Sequence, residues 1–207
     1  MPDGEVGALA GLAAARPVEF FKGFLRHPRQ VGSVIPSSRF LIRQLLAAGE
    51  VDQCRVVVEL GPGTGVVTKA MLRAMRGDGR LVALEINPRF IRLLAREIGD
   101  SRILLHHGPA RDLEAALAEI GTSTADLVIS GIPFSTMGRR EAIATLAAVR
   151  RSLAPGGRFV AYQFRSHVRD FAEPIFGPAR VESAVLNIPP MRVFTWRNSA
   201  RFSAEAP

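Results

Sequence analysis

Between Val56 and Tyr162, short apolar runs alternate with stretches of helical periodicity, and no other feature restricts the fold of this chain as strongly. The apolar runs fall at Val56–Leu60, Leu81–Leu84, Arg102–Leu105, Leu127–Ile129 and Phe159–Tyr162. Helical stretches lie near Val66–Arg76, Pro88–Ile98, Asp112–Ile120 and Arg139–Leu153. Strands that alternate with helices pair in parallel, and their apolar faces must then be covered by helices on both sides, so the pattern predicts an α/β fold. Two further β-like runs follow, Val181–Leu186 and Arg192–Trp196, joined by Asn187-Ile188-Pro189-Pro190; they predict a C-terminal antiparallel hairpin and seven strands in all. A helix is predicted to start after Pro36, capped by Ser37 or Ser38, with Phe40, Leu41, Leu45 and Leu46 on its apolar face. No internal repeat or linker divides the chain. It reads as one structural domain overall, with residues 1–48 as an N-terminal extension of lid or membrane-contact helices and 49–207 as the core.

Within that frame, Val56-Val57-Val58-Glu59-Leu60-Gly61-Pro62-Gly63-Thr64-Gly65 takes a buried strand into a glycine turn that opens a helix. Glycine permits the sharp turn and lets a ligand approach the main chain. Twenty residues after Gly65, at the end of the second strand, stands Glu85, a carboxylate placed to accept both hydroxyls of a ribose. Such turns also bind phosphates and dinucleotides. A Walker A loop is excluded because no Gly-Lys-Ser/Thr follows, and no second domain is present to hold a dehydrogenase substrate. The pattern Glu-x-Gly-x-Gly-x-Gly resembles motif I of the class I S-adenosylmethionine-dependent methyltransferases, whose Rossmann-like, seven-stranded, mostly parallel sheet also ends in an antiparallel hairpin. The resemblance implies S-adenosylmethionine as cofactor and S-adenosylhomocysteine as product. It places Glu59, Gly61, Gly63, Gly65, Glu85, Ile86, Gly108 and Ala110 around the cofactor, with Ser37 and Ser38 closing over it. Where many of these enzymes have an Asp for the adenine amino group, this chain reads Gly108-Pro109-Ala110, so a backbone group or Asp112 must serve.

After the fourth strand comes Ser130-Gly131-Ile132-Pro133-Phe134, the position of motif IV. Adenine N6 methyltransferases carry Asn/Asp-Pro-Pro-Tyr/Phe or Asn-Leu-Pro-Tyr there. Aligned on the latter, Gly131 stands at the asparagine and offers no side chain to an exocyclic amine, while Phe134 keeps the aromatic that would stack on the base. The loop is similar to the Ser-Gly-Leu-Pro of the bacterial phospholipid N-methyltransferases. Two other segments resemble that family: Pro28-Arg29-Gln30-Val31-Gly32-Ser33-Val34-Ile35-Pro36-Ser37-Ser38-Arg39 and Asn187-Ile188-Pro189-Pro190-Met191. The likeness extends from about Phe20 to Trp196. One departure is Gln163-Phe164-Arg165-Ser166, where members often have Gln-Phe-Thr-Tyr. The resemblance implies stepwise methylation of phosphatidylethanolamine toward phosphatidylcholine, with Ser130, Gly131, Ile132 and Pro133 forming the transfer site. Candidate bases are Tyr162, His167 and the pair His106-His107; Arg39, Arg165 and Arg192 are candidate phosphate partners. A ribosomal RNA adenine N6-type methyltransferase, a methyltransferase for another amine such as ornithine lipid, and a cofactor-binding subunit without turnover are the alternatives.

The formal net charge of +8 suits an anionic partner, a membrane face or nucleic acid. Of the 27 basic residues 25 are arginine, a skew that genomic base composition alone can also produce. In segment 17–29, Phe20, Phe21, Phe24 and Leu25 alternate with Lys22, Arg26, His27 and Arg29, which predicts an interfacial helix on an anionic membrane or a lid over the site. Cys54 is the only cysteine, and adjacent histidines on a strand point to opposite faces, so no metal is expected. Asp3 and Glu5 near the start argue against a secretory signal, and no apolar run approaches the roughly 20 residues of a spanning helix. A monomeric cytoplasmic protein, peripheral on the inner membrane surface, is expected.

Overall fold

A computed structural model describes residues 38–184 and 190–199. Segment 17–29, Ser37 and the turn residues Asn187, Ile188 and Pro189 lie outside the described residues. In chain order the elements are α1 (Arg39–Gly49), β1 (Val56–Leu60), α2 (Val66–Ala74), β2 (Arg80–Glu85), α3 (Pro88–Glu97), β3 (Ile103–His107), α4 (Leu113–Ala118), β4 (Ala125–Ser130), α5 (Arg139–Ser152), β5 (Leu153–Gln163), α6 (His167–Phe176), β6 (Arg180–Ala184) and β7 (Met191–Arg197).

The seven strands form one sheet in the order β3-β2-β1-β4-β5-β7-β6. Strands β1 to β5 run parallel, and β7 is antiparallel to both β5 and β6. This is the α/β arrangement the alternation predicts, with the hairpin at its end. The inner strands are apolar on both sides because both sides are covered: Val57, Val58 and Leu60 of β1, and Leu127, Val128 and Ile129 of β4, are completely buried. Side chains alternate between faces, so Val57 and Leu127 pack with α1 and α2, whereas Val58, Leu60 and Val128 pack with α4, α5 and α6. Each such burial contributes roughly 1.5–3 kcal/mol. At the hairpin end Trp196 stacks on Phe159 at 5.2 Å between centroids, and its indole N–H donates to the Gly177 carbonyl at 3.1 Å.

Ser38 caps α1 by accepting from the Leu41 amide at 3.2 Å. The apolar stripe of that helix is Leu41, Leu45 and Gly49, at four-residue spacing. Phe40, expected on the stripe, is one position off it; it is 41% exposed, with the Arg39 guanidinium 5.1 Å above its ring. Helix α6 has no counterpart among the predicted elements. Pro174 lies in its last turn, yet Val168, Ala172 and Phe176 form a regular buried stripe. Among the described residues, no helix is long and apolar enough to cross a membrane.

Candidate active site

The glycine turn and the motif IV loop leave neighbouring strands at the same end of the sheet, where the strand order changes direction beside β1. The Gly61 amide donates to the Leu84 carbonyl at 2.9 Å, and the Gly131 amide donates to the Leu60 carbonyl at 3.0 Å. Main-chain bonds thus tie β2, β1 and β4 together just beyond the strands. Gly61, Gly63 and Gly65 all have positive φ, at 75°, 56° and 79°. At Gly65 a Cβ would also stand 2.5 Å from Cδ2 of Leu94 on α3, which packs against the bare main chain there.

Glu85 ends β2 and is 5% exposed. Its Oε2 accepts from the Gly63 amide at 3.1 Å and its Oε1 from the Asn87 amide at 2.9 Å. Burial pushes its pKa up, opposed by these amide bonds. The carboxylate is fixed in orientation and keeps lone pairs that can accept from a vicinal diol. Ile86 beside it is 67% exposed, an apolar surface at the mouth of the site. The Gly108 amide donates to the Glu85 carbonyl at 3.2 Å, which places the end of β3 next to it. Ala110 is buried, and Asp112 folds back so that its Oδ2 would be 3.2 Å from a Cβ on Gly108. Asn87 caps α3 through the Arg89 amide at 2.9 Å, with Pro88 in the first turn.

Glu59 is fully buried in β1. The Thr68 hydroxyl donates to its Oε2 at 2.6 Å, while its Oε1 has no partner. Burial pushes its pKa to about 8; the Thr68 bond works against that shift, and the nearby Glu85 charge adds to it. An unpaired buried carboxylate oxygen costs about 1–3 kcal/mol or more, which a ligand donor can offset. S-adenosylmethionine carries both a vicinal diol and an ammonium, so the fixed Glu85 carboxylate, the free Glu59 oxygen and the bare glycine turn fit it.

The motif IV loop is held from two sides. Ser130 is fully buried, and its Oγ accepts from the Ile132 amide at 3.3 Å. The Ile132 carbonyl accepts from Gln163 Nε2 at 2.7 Å. Gln163, at the end of β5, is a site residue that the sequence reading did not single out; a buried amide at a strand end was the available signal. Pro133 leads into a 3₁₀ turn, Phe134–Thr136. Phe134, the ring that would stack on a base under the RNA alternative, is completely buried in the core.

Of the candidate bases, Tyr162 is pushed up by burial and by the Glu59 charge, which opposes loss of its proton. His106 and His107 end β3, with β2 and β1 between them and the loop. His106 Nδ1 lies 2.7 Å from Glu119, and His107 is exposed with Nε2 3.3 Å from the Ile86 carbonyl. His167 opens α6 and buries Nδ1 without a partner. Arg192 stands opposite Gln163 in the β5–β7 register, and Arg165 follows two residues after that strand, so both sit at the site end of the sheet. Among the described residues, no cluster of His, Cys, Asp or Glu could hold a metal ion.

A methyltransferase-domain family profile matches residues 57–157. The ornithine lipid N-methyltransferase of Singulisphaera acidiphila is 34% identical over 141 residues, which cover 68% of this chain and 73% of that protein. The ribosomal RNA small subunit methyltransferase A of Caulobacter vibrioides is 35% identical over 95 residues, covering 45% of this chain and 34% of that enzyme. In fold, the chain superposes on the 1,6-didemethyltoxoflavin-N1-methyltransferase of Burkholderia thailandensis with a TM-score of 0.63. That superposition covers 90% of this chain and 88% of the other, at 19% identity. With the glycine turn, the paired acids Glu59 and Glu85 and the seven-stranded sheet already in place, the chain belongs to the class I S-adenosylmethionine-dependent methyltransferases.

Proposed function

We propose that the acceptor is the amine head group of a membrane lipid, either ornithine lipid or phosphatidylethanolamine. The observation that carries this reading is the similarity to an ornithine lipid N-methyltransferase over about two thirds of this chain and nearly three quarters of that one. Phosphatidylethanolamine, which the sequence motifs favour, presents the same reacting group, a primary alkyl amine at a membrane surface.

When bound, the cofactor would supply a sulfonium methyl group for the lone pair of an amine, with S-adenosylhomocysteine as the leaving group. Glu85 would hold the ribose diol and Glu59 Oε1 the ammonium, while the glycine turn leaves the main chain bare for close approach. Ser130 to Pro133 would bring the acceptor against the turn. An alkyl ammonium has no lone pair and must first lose its proton; no base is fixed at the loop among the described residues, and these act mainly by alignment. The anionic membrane surface, approached through segment 17–29, is part of the same proposal.

RNA is the second reading, because ribosomal RNA methyltransferases are also similar to this chain. Two features at the loop speak for lipid instead. Gly131 has no side chain to engage an adenine amino group, and the buried Phe134 ring presents no face to a base. The test incubates the protein with methyl-labelled S-adenosylmethionine and, separately, with vesicles of ornithine lipid, vesicles of phosphatidylethanolamine with an anionic lipid, and small-subunit ribosomal RNA. Label in the lipid extract supports the reading. Label in RNA alone overturns it.

A further inference from the structure

The loop that resembles motif IV lacks a side chain at residue 131, and the structure shows what fills that space. A Cβ on Gly131 would stand 2.5 Å from the Tyr162 hydroxyl oxygen and 3.0 Å from Cζ of the same ring. The Gly61 carbonyl oxygen would be 3.2 Å away on the other side. The hydroxyl of Tyr162, the bare loop and the first glycine of the cofactor turn therefore converge within one side-chain length. Tyr162 is the penultimate residue of β5, in register with Val193 of β7, and its ring packs on the core layer of α1 and α2. Its neighbour Gln163 holds the Ile132 carbonyl at 2.7 Å. Two consecutive residues of β5 thus shape the loop, Gln163 by fixing its main chain and Tyr162 by occupying its empty side-chain position. The tyrosine hydroxyl makes no hydrogen bond to any described residue.

From this juxtaposition we infer that the Tyr162 hydroxyl is the acceptor-orienting group of the enzyme, taking from β5 the place of the side chain that residue 131 lacks. The inference rests on reading residues 130–133 as the transfer loop. In this role the phenolic oxygen accepts an N–H of the neutral acceptor amine and turns its lone pair toward the cofactor turn. It removes no proton: burial and the buried Glu59 both hold the phenol in its neutral form. A neutral phenol suits an alkyl amine, since its oxygen can accept one N–H and adapt as the nitrogen gains methyl groups. The last methylation, on a nitrogen that has no N–H left to donate, would then depend least on the hydroxyl.

The experiment compares wild type with Tyr162→Phe, which keeps the ring and deletes the oxygen. The acceptor is whichever of ornithine lipid, phosphatidylethanolamine or ribosomal RNA the wild type methylates, so a failure of the lipid reading is seen before the variant is assayed. The expected result is a fall in kcat of roughly ten- to a hundredfold for the first methyl, with S-adenosylhomocysteine affinity and melting temperature unchanged. With a lipid acceptor, the dimethyl-to-trimethyl step should fall less than the first step. Gly131→Ala is expected to lose turnover as well, and the double variant Gly131→Ala with Tyr162→Phe, freed of the closest contact, to regain melting temperature but not turnover. Wild-type kcat in Tyr162→Phe, or restored turnover in the double variant, would show a space-filling ring and overturn the inference.

Discussion

The two halves of the site are built in different ways. On the proposed cofactor side, β1 to β3, the strand ends are tied through backbone amides: the Glu85 carboxylate accepts from Gly63 and Asn87, and Gly61 and Gly108 donate to the carbonyls of Leu84 and Glu85. On the acceptor side, β4 and β5, the geometry comes from side chains that meet across about thirty residues of sequence, Gln163 on Ile132 and Tyr162 on Gly131. The first half depends on the backbone and so tolerates few sequences. The second depends on which side chains a neighbouring strand presents, and is the part that can change with the acceptor.

If that division holds, changes on the two sides fail differently. The largest effect is expected for Glu85→Ala. Loss of two charge-assisted bonds to the ribose should weaken S-adenosylhomocysteine binding roughly hundredfold in calorimetry, with any fall in turnover a consequence. Gln163→Ala should do the reverse. It frees the Ile132 carbonyl and should lower kcat roughly tenfold, while cofactor affinity stays within about twofold. A matching loss of cofactor affinity in Gln163→Ala would break the distinction between the halves.

Glu59 lies between the two halves and sharpens the comparison through pH. Its pKa is raised by burial from 4.5 to about 8, so the folded, ligand-free protein retains a proton that the unfolded chain has released. Stability contributed by this group is full below about pH 4.5 and is lost as pH rises toward 8, with a slope of at most about 1.4 kcal/mol per pH unit. Denaturant titrations between pH 5 and about 8 should show wild type losing stability relative to Glu59→Gln. Bound S-adenosylhomocysteine, whose ammonium favours the carboxylate, should flatten the wild-type slope. Parallel wild-type and Gln curves would mean that Glu59 is ionised in the folded protein throughout. The smallest functional effect is expected for Trp196→Phe, far from both loops. Loss of its bond to Gly177 and some packing should cost about 1–2 kcal/mol in denaturation, with kcat and cofactor affinity unchanged.

This difference in construction also explains what the sequence made legible. The sheet, its hairpin, the glycine turn and Glu85 followed from local signals: apolar runs bounded by turns, and an acid at a fixed distance from a turn. Helix α6, which carries Pro174, was not among the predicted elements, and Phe40 was assigned to the wrong side of α1 because neighbouring apolar residues do not share a face. The fate of Phe134 could not be read locally either, since its burial depends on α5 and α6 closing over the turn that carries it. Gln163 and Tyr162 stood in the open as a strand end, but nothing in their spacing said which loop they would meet. Contacts between strands adjacent in space and distant in sequence are set by topology, which is why the acceptor half was the less legible one.

The central claim is that this fold delivers a methyl group to a lipid amine. The most direct measurement is mass spectrometry of total lipids from a bacterial host that makes ornithine lipid and phosphatidylethanolamine but no N-methylated form of either, expressing wild type or Glu85→Ala. The account predicts mono-, di- or trimethylated head groups with wild type and none with the variant. Unmodified lipids in cells that accumulate soluble, cofactor-binding wild-type protein would contradict it.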